Sequence, residues 1–172
     1  MTIIHENVSS KLKKAFIFDF DATLANTACR ILVKHQDGTS NLLTPQEFNT
    51  YEVRQGDKFD YSEFNEIIHP EALPLMVLAR QLCTEGHPIF VLTARGIDAK
   101  NPIVRYLESQ GIVLHQIYCV GKSDGRIEIE KEKRKVLLTI MENYDRIYFY
   151  DDAEFIIDHV KDVDRIKTYH VK

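Results

Sequence analysis

Asp19 and Asp21 stand two residues apart in FDFDATL, directly after the apolar run Ala15 to Phe18. Residues i and i+2 of an extended chain point the same way, so both carboxylates are expected to face one site. Two more carboxylates, Asp151 and Asp152, close the run YFYDD, and Thr93 closes FVLT. Four carboxylates gathered at strand ends repel one another and rise in pKa unless a cation sits among them. A hard divalent ion with oxygen ligands answers that need, and Mg²⁺ is the usual one where phosphate is also bound. Asp19, Asp21, Asp151 and Asp152 are its expected ligands. Such a set suits phosphoryl transfer, with Asp19 as the nucleophile that forms an aspartyl-phosphate. Asp21 would protonate the leaving oxygen and then activate water. The Thr93 hydroxyl and an ammonium group would hold the phosphoryl oxygens as charge spreads over them.

The run EIEKEKRKVLLTIM offers Lys131, Lys133 and Lys135 for that ammonium, on a helix that also carries Val136, Leu137, Ile140 and Met141. At 3.6 residues per turn, Lys133 lies about 40° from Leu137, against roughly 120° for Lys131 and 160° for Lys135. Lys133 alone shares the inward stripe, and a lysine there needs a buried partner. The rest of the run reads as a solvated charged face.

The elements that must position these groups alternate. Ala15 to Phe18, Ile89 to Leu92 and Ile147 to Tyr150 are continuous apolar runs, the mark of strands buried on both faces. Ile117 to Val120 and Ile166 to Val171 are weaker strand candidates. Helical spacing joins Leu75, Leu78, Ala79 and Leu82, with Gly86 as the stop, and a second helix runs from Asn101 or Pro102 to Gln110 before Gly111. The pattern predicts an α/β fold: a three-layer, Rossmann-like parallel sheet of about five strands, with ligands outside the carboxyl ends of the strands. Residues 1–172 read as a single domain carrying a small insert at about 24–68. That insert holds a hairpin around Gln36-Asp37-Gly38-Thr39 and a short helix opened by the capping box Thr44-Pro45-Gln46-Glu47, running through about Tyr51. Tyr51, Phe59, Tyr61 and Phe64 of the insert read as packing residues rather than base-stacking ones.

Composition limits the partners. Lys+Arg number 22 against 26 Asp+Glu, a net charge of -4, so no global positive field draws the chain onto nucleic acid or anionic membrane. A strand end needs only a few local cations such as Arg30, Arg95 and Lys122. The longest apolar stretches, AFIF and PIFVL, fall short of the ~20 residues of a membrane span. The polar start MTIIHENVSSKLKK has no secretory apolar core. A cytoplasmic location is expected. Cys29, Cys83 and Cys119 lack CxxC spacing and read as reduced packing thiols.

The set resembles the haloacid dehalogenase (HAD) superfamily of phosphohydrolases, whose four motifs are a DxDx(T/V) loop, a Ser/Thr after the second core strand, a helix-borne Lys and a terminal acidic pair. Here they read Asp19-Phe20-Asp21-Ala22-Thr23, Thr93 in VLTAR, Lys133 and Asp151-Asp152, in that order over positions 15 to 152. Within the superfamily the chain is similar to the phosphatase half of phage polynucleotide kinase/phosphatase and to small HAD proteins of tailed phages, and a phage origin would place it in the host cytoplasm. The former has one Arg two residues after the hydroxyl residue and another eleven after the nucleophile. Arg95 and Arg30 match those spacings, which implies that they bind substrate. The resemblance implies a Mg²⁺-dependent phosphatase with an insert that forms a small flap or cap after the first strand. Its substrate would be a phosphorylated small molecule, a nucleotide or a nucleic-acid end, with no obligate protein partner. The family usually has Gly where this chain has Ala22, a residue that takes positive φ only at a cost. The alternative from another class is a phosphate-binding or phosphoryl-accepting regulatory module with a degenerate HAD site. Bacterial receiver domains use similar groups, but their acidic pair comes first, whereas here it comes last. A metal-dependent nuclease is the third reading of the acidic cluster.

Overall fold

The computed structural model describes residues 12–121 and 128–172. The chain opens with strand β1 (Lys14–Phe18) and continues into β2 (Ala25–Asn26), β3 (Ile31–Lys34), β4 (Ser40–Leu43), helix α1 (Pro45–Asn49), β5 (Lys58–Asp60) and β6 (Glu71–Ala72). Alternation then sets in, with α2 (Leu75–Thr84), β7 (Ile89–Gly96), α3 (Lys100–Ser109) and β8 (Gln116–Gly121). The last elements are α4 (Ile129–Met141), β9 (Arg146–Asp151), α5 (Glu154–Val160) and β10 (Ile166–His170). The N-terminal residues 1–11 and the cation Lys122 lie outside the described residues.

Five strands form one parallel sheet in the order β10-β9-β1-β7-β8. Side chains alternate across it, so β1 sends Phe16 and Phe18 to one face and Ala15 and Ile17 to the other. The first pair packs with Met76, Ala79 and Leu82 of α2 and Ile103 and Leu107 of α3. The second pair packs with Leu137 and Ile140 of α4 and Ile156, Ile157 and Val160 of α5. Both sheet faces are covered, which is why its strands are unbroken apolar runs. The order also locates a crevice. From β1 the chain moves outward through β7 to β8, whereas from β9 it moves the other way to β10. Neighbouring strands β1 and β9 are therefore the pair whose connections part, and ligands of open α/β sheets bind at the carboxyl ends of such a pair. A stack of Phe18, Tyr150 and Tyr169, with centroids 4.7 and 4.6 Å apart, floors that end of the sheet.

The segment between β1 and α2 builds its own small structure. At its base β2 pairs antiparallel with β6, Ala25 facing Ala72. Beyond that, β3 pairs with β4 on one side and β5 on the other. The β3–β4 turn needs Gly38 at φ 86°, and Thr44 caps α1 with Glu47 answering from N3. Phe48, Tyr51, Phe59 and Tyr61 pack edge to face or tilted at centroid distances of 5.4 to 6.4 Å, so these rings serve each other. Helix α1 ends at Asn49, two residues before the expected end. Strands β2, β5 and β6 and helix α5 add to the elements expected from the sequence. Among the described residues no helix is long and apolar enough to cross a membrane.

Candidate functional site

Strand β1 pairs with β7 and β9 so that Phe18 lies opposite Val91 and Tyr150. Asp19 and Asp151, each one residue further on, therefore stand side by side at one level, with Thr93 one step beyond along β7. The Asp19 amide donates to the Tyr150 carbonyl at 2.9 Å, which extends the ladder by one step and fixes the first acidic residue beside the second. Helix α4 crosses the same end of the sheet and presents Lys133, only 2 % exposed. Its Nζ donates to Asp19 Oδ1 at 2.8 Å and to Asp151 Oδ2 at 2.7 Å. The inward angle of position 133 on the helix thus ends on two carboxylates. Asp151 is held from its other oxygen by the Ala153 amide at 2.9 Å. Asp152 completes a group in which one oxygen each of Asp19, Asp151 and Asp152 lie within 4.8 Å of one another. Its own carbonyl accepts from His170 Nε2 at 3.0 Å.

Burial pushes the Asp19 carboxyl well above its usual value; Lys133 pulls it down, and Asp151 adds to the rise. For Lys133, burial opposes the charge, but Asp19 and Asp151 outweigh it and hold the ammonium above its ordinary range. Asp152 is raised by burial and then by Asp151 beside it. Three carboxylates against one ammonium leave the cluster two negative charges in excess when all are ionised. An all-oxygen donor set with that deficit fits a hard divalent cation, so the residues present suit Mg²⁺.

Asp21, expected among the ligands, has a different partner. Its two oxygens accept from Arg95, Oδ2 from Nε at 2.8 Å and Oδ1 from Nη2 at 2.7 Å. The chain leaves β1 at Phe18 and bends at Phe20, so strand alternation no longer governs position 21. Asp21 adds only a small further rise to the Asp19 and Asp152 carboxyls, behind burial and Asp151. Arg95 lies on β7, which continues past Thr93 through a register shift to Gly96 rather than stopping there. Thr93 is buried and its hydroxyl accepts from the Arg95 amide at 3.2 Å. Arg30 lies apart, exposed just before β3, where its charge lowers the Glu47 carboxyl after the stronger effect of the Thr44 hydrogen bonds. Ala22, in the turn between Asp21 and β2, has φ 55°.

No protein-family model matches the chain. No curated protein matches it either. Among solved structures it is similar to a chain from a structure of the Pnkp1/Rnl/Hen1 RNA repair complex, with a TM-score of 0.61 at 17 % identity over 93 % of this chain and 42 % of that one. A chain from a second Pnkp1/Rnl/Hen1 complex structure gives a TM-score of 0.59 at 16 % identity over 94 % and 47 %. The protein spans less than half the length of either match. The likeness is one of fold.

Residues without a sequence signal complete the surroundings. Thr27 donates to Asp21 at 3.3 Å and accepts from Arg95 at 2.9 Å. Cys29 is buried against the same guanidinium at 3.6 Å. The carbonyls of Phe64 and Glu66 accept from Arg95 Nη1 at 3.0 and 2.7 Å, and a backbone carbonyl leaves no trace in a sequence.

Proposed function

We propose that the protein is a Mg²⁺-dependent phosphomonoester hydrolase of the HAD superfamily, acting through an aspartyl-phosphate on nucleotide or nucleic-acid terminal phosphates. The observation that carries this reading is the buried Lys133 ammonium between Asp19 and Asp151, with Asp152 alongside, at the sheet end where the connections of β1 and β9 part. A purely structural ion pair has no need of a third carboxylate.

In this reading an Asp19 oxygen bonds to phosphorus as the ester P–O bond breaks, and Asp21 gives its proton to the departing oxygen. Water then bonds to the same phosphorus as the Asp19–phosphorus bond opens, and the water proton passes to Asp21. Lys133 keeps Asp19 and Asp151 from repelling each other and holds the nucleophile's orientation. The Thr93 hydroxyl retains its proton to donate to a phosphoryl oxygen. Asp19, Asp151 and Asp152 would hold the cation, which supplies positive charge to the phosphoryl oxygens when bound. The two fold neighbours come from an RNA repair complex, which favours processing of nucleic-acid ends over metabolite hydrolysis. Exposed Arg30 remains a candidate cation for such a strand.

The test is phosphate release from a panel of 3′- and 5′-phosphorylated oligonucleotides, free nucleotides and an aryl phosphate, with Mg²⁺ and then with chelator. Turnover on at least one member, lost with chelator and lost in Asp19→Asn, is expected. Full turnover by Asp19→Asn would refute the assignment. The left-handed Ala22 beside Asp21 favours the second reading, a phosphate-binding or phosphoryl-accepting module. Under that reading wild-type protein gives at most one stoichiometric burst of the leaving alcohol, with the phosphate kept on the protein, and no sustained phosphate release.

A further inference from the structure

Arg95 is charged yet only 3 % exposed, where an arginine meant for substrate would have to be open. Its five N–H donors are all engaged inside the protein. Nε and one Nη2 proton meet the two oxygens of Asp21, the other Nη2 proton meets Thr27, and Nη1 serves the carbonyls of Phe64 and Glu66. The rings of Phe20 and Phe64 lie 5.5 and 5.0 Å from the guanidinium carbon. A phosphate could claim this cation only by opening the fork and leaving Asp21 unpaired, which costs far more than a surface contact returns. Asp21 keeps 28 % of its side chain exposed, so it is gripped from one side and open on the other. A carboxylate has lone pairs beyond the two a guanidinium fork occupies, enough to accept a proton from water.

We propose that Arg95 is a positioning residue for Asp21. It fixes both carboxylate oxygens relative to Asp19, and is itself held by the carbonyls of Phe64 and Glu66, so that the segment between β1 and α2 sets the water-activating group. This rests on the phosphatase reading above. The step at issue is the second one, in which water bonds to phosphorus, the Asp19–phosphorus bond opens and the water proton passes to Asp21. A loosened Asp21 slows that step and spares the first, provided the leaving group needs no proton.

The experiment is pre-steady-state hydrolysis of p-nitrophenyl phosphate with Mg²⁺ by wild type, Arg95→Lys, Arg95→Gln and Thr27→Val. In both Arg95 variants kcat and KM are expected to fall together, by about a hundredfold, while kcat/KM and the first burst stay within about threefold, with phosphate trapped on Asp19 by acid quench. Lysine does not rescue, because it brings the charge without the fork. Thr27→Val moves the same way by a smaller factor and decides the matter if the Arg95 variants fail to fold. A tenfold or larger rise in KM, with no trapped phosphoenzyme, would mean that Arg95 binds substrate and would overturn the proposal. A wild type that releases no phosphate removes the phosphatase reading alone. The grip is then judged by a double-mutant cycle of Asp21→Asn and Arg95→Gln on unfolding midpoints, where strictly additive shifts overturn it.

Discussion

With Lys133 replaced by methionine, the carboxylates of Asp19 and Asp151 would face each other inside the protein with nothing between them. Removing one partner of a buried ion pair costs about 3–5 kcal/mol, so Lys133→Met should unfold at much lower urea than wild type in metal-free buffer. Added Mg²⁺ should recover part of the loss if the three carboxylates bind it, and a urea titration with and without the ion reads both effects. Ala22 pulls in the opposite direction. At φ 55° its Cβ crowds the backbone, a strain glycine does not feel, and Ala22→Gly should stabilise the fold by up to ~1 kcal/mol after the entropy of a freer unfolded chain is deducted. An unchanged or lower unfolding midpoint would show that the turn carries no strain. Residues whose place follows from a period were legible in sequence. Lys133 could be set on the inward face from its angle to Leu137, and Asp19 and Asp151 from the ends of apolar runs. The partnership of Asp21 was not, because alternation lapses once the strand ends at Phe18, and because two of the five Arg95 side-chain donors meet main-chain carbonyls.

Strands β7 and β8 are forced together where the register shifts. A Cβ on Gly121 would fall 2.1 Å from the Ala94 carbonyl oxygen, so any side chain there must push β8 off the bulge from which Arg95 turns inward. Gly121→Ala is expected to cost about 1–3 kcal/mol and to lower phosphate release along with stability, as thermal unfolding and initial rates would report. The insert has a different support. His35 Nδ1 and the Tyr51 hydroxyl each donate to Asp57 at 2.7 Å, and the Arg54 amide donates at 2.8 Å. Burial pushes Asp57 up, but these donors prevail and bring it from 3.8 down to about 2. The native carboxyl is the stronger acid, so the unfolded insert binds more protons within that window. The stabilisation is whole above pH 3.8 and drains away as pH falls toward about 2. Amide exchange in β3 and β5 should quicken over that range in wild type, and Asp57→Asn should exchange fast already at neutral pH. The hairpin and the capped helix could be read from Gly38 and from Thr44 with Glu47, since turns and caps are local chemistry. Strand β5 could not: three residues, Lys58–Asp60, are too few to show a period, and pairing with β3 is a tertiary fact.

At the scale of the whole molecule, a net charge of -4 limits how an oligonucleotide can be held. If the protein takes nucleic-acid ends as proposed, with roughly two phosphates neutralised near the reacting end, a single strand should lose less than about tenfold in affinity between 50 and 200 mM salt, since the slope is near -0.7 per contact. A hundredfold loss on a 3′-phosphorylated oligomer would point instead to a long basic track. The parallel sheet was legible because strands buried on both faces are continuous apolar runs, whereas α5 went unread because its seven residues follow the acidic pair without a cap signal. The same order of strands has a bearing on biosynthesis. Asp19 meets Lys133 across 114 positions of chain, and Asp151 comes 18 positions later still. A nascent chain carries Asp19 early, bare and solvated, and acquires the Lys133 counter-charge only when α4 and its following strand have left the ribosome and docked. On the phosphatase reading, catalytic competence is then among the last properties to arrive, and a chain stalled before that point can present a folded-looking hairpin while hydrolysing nothing.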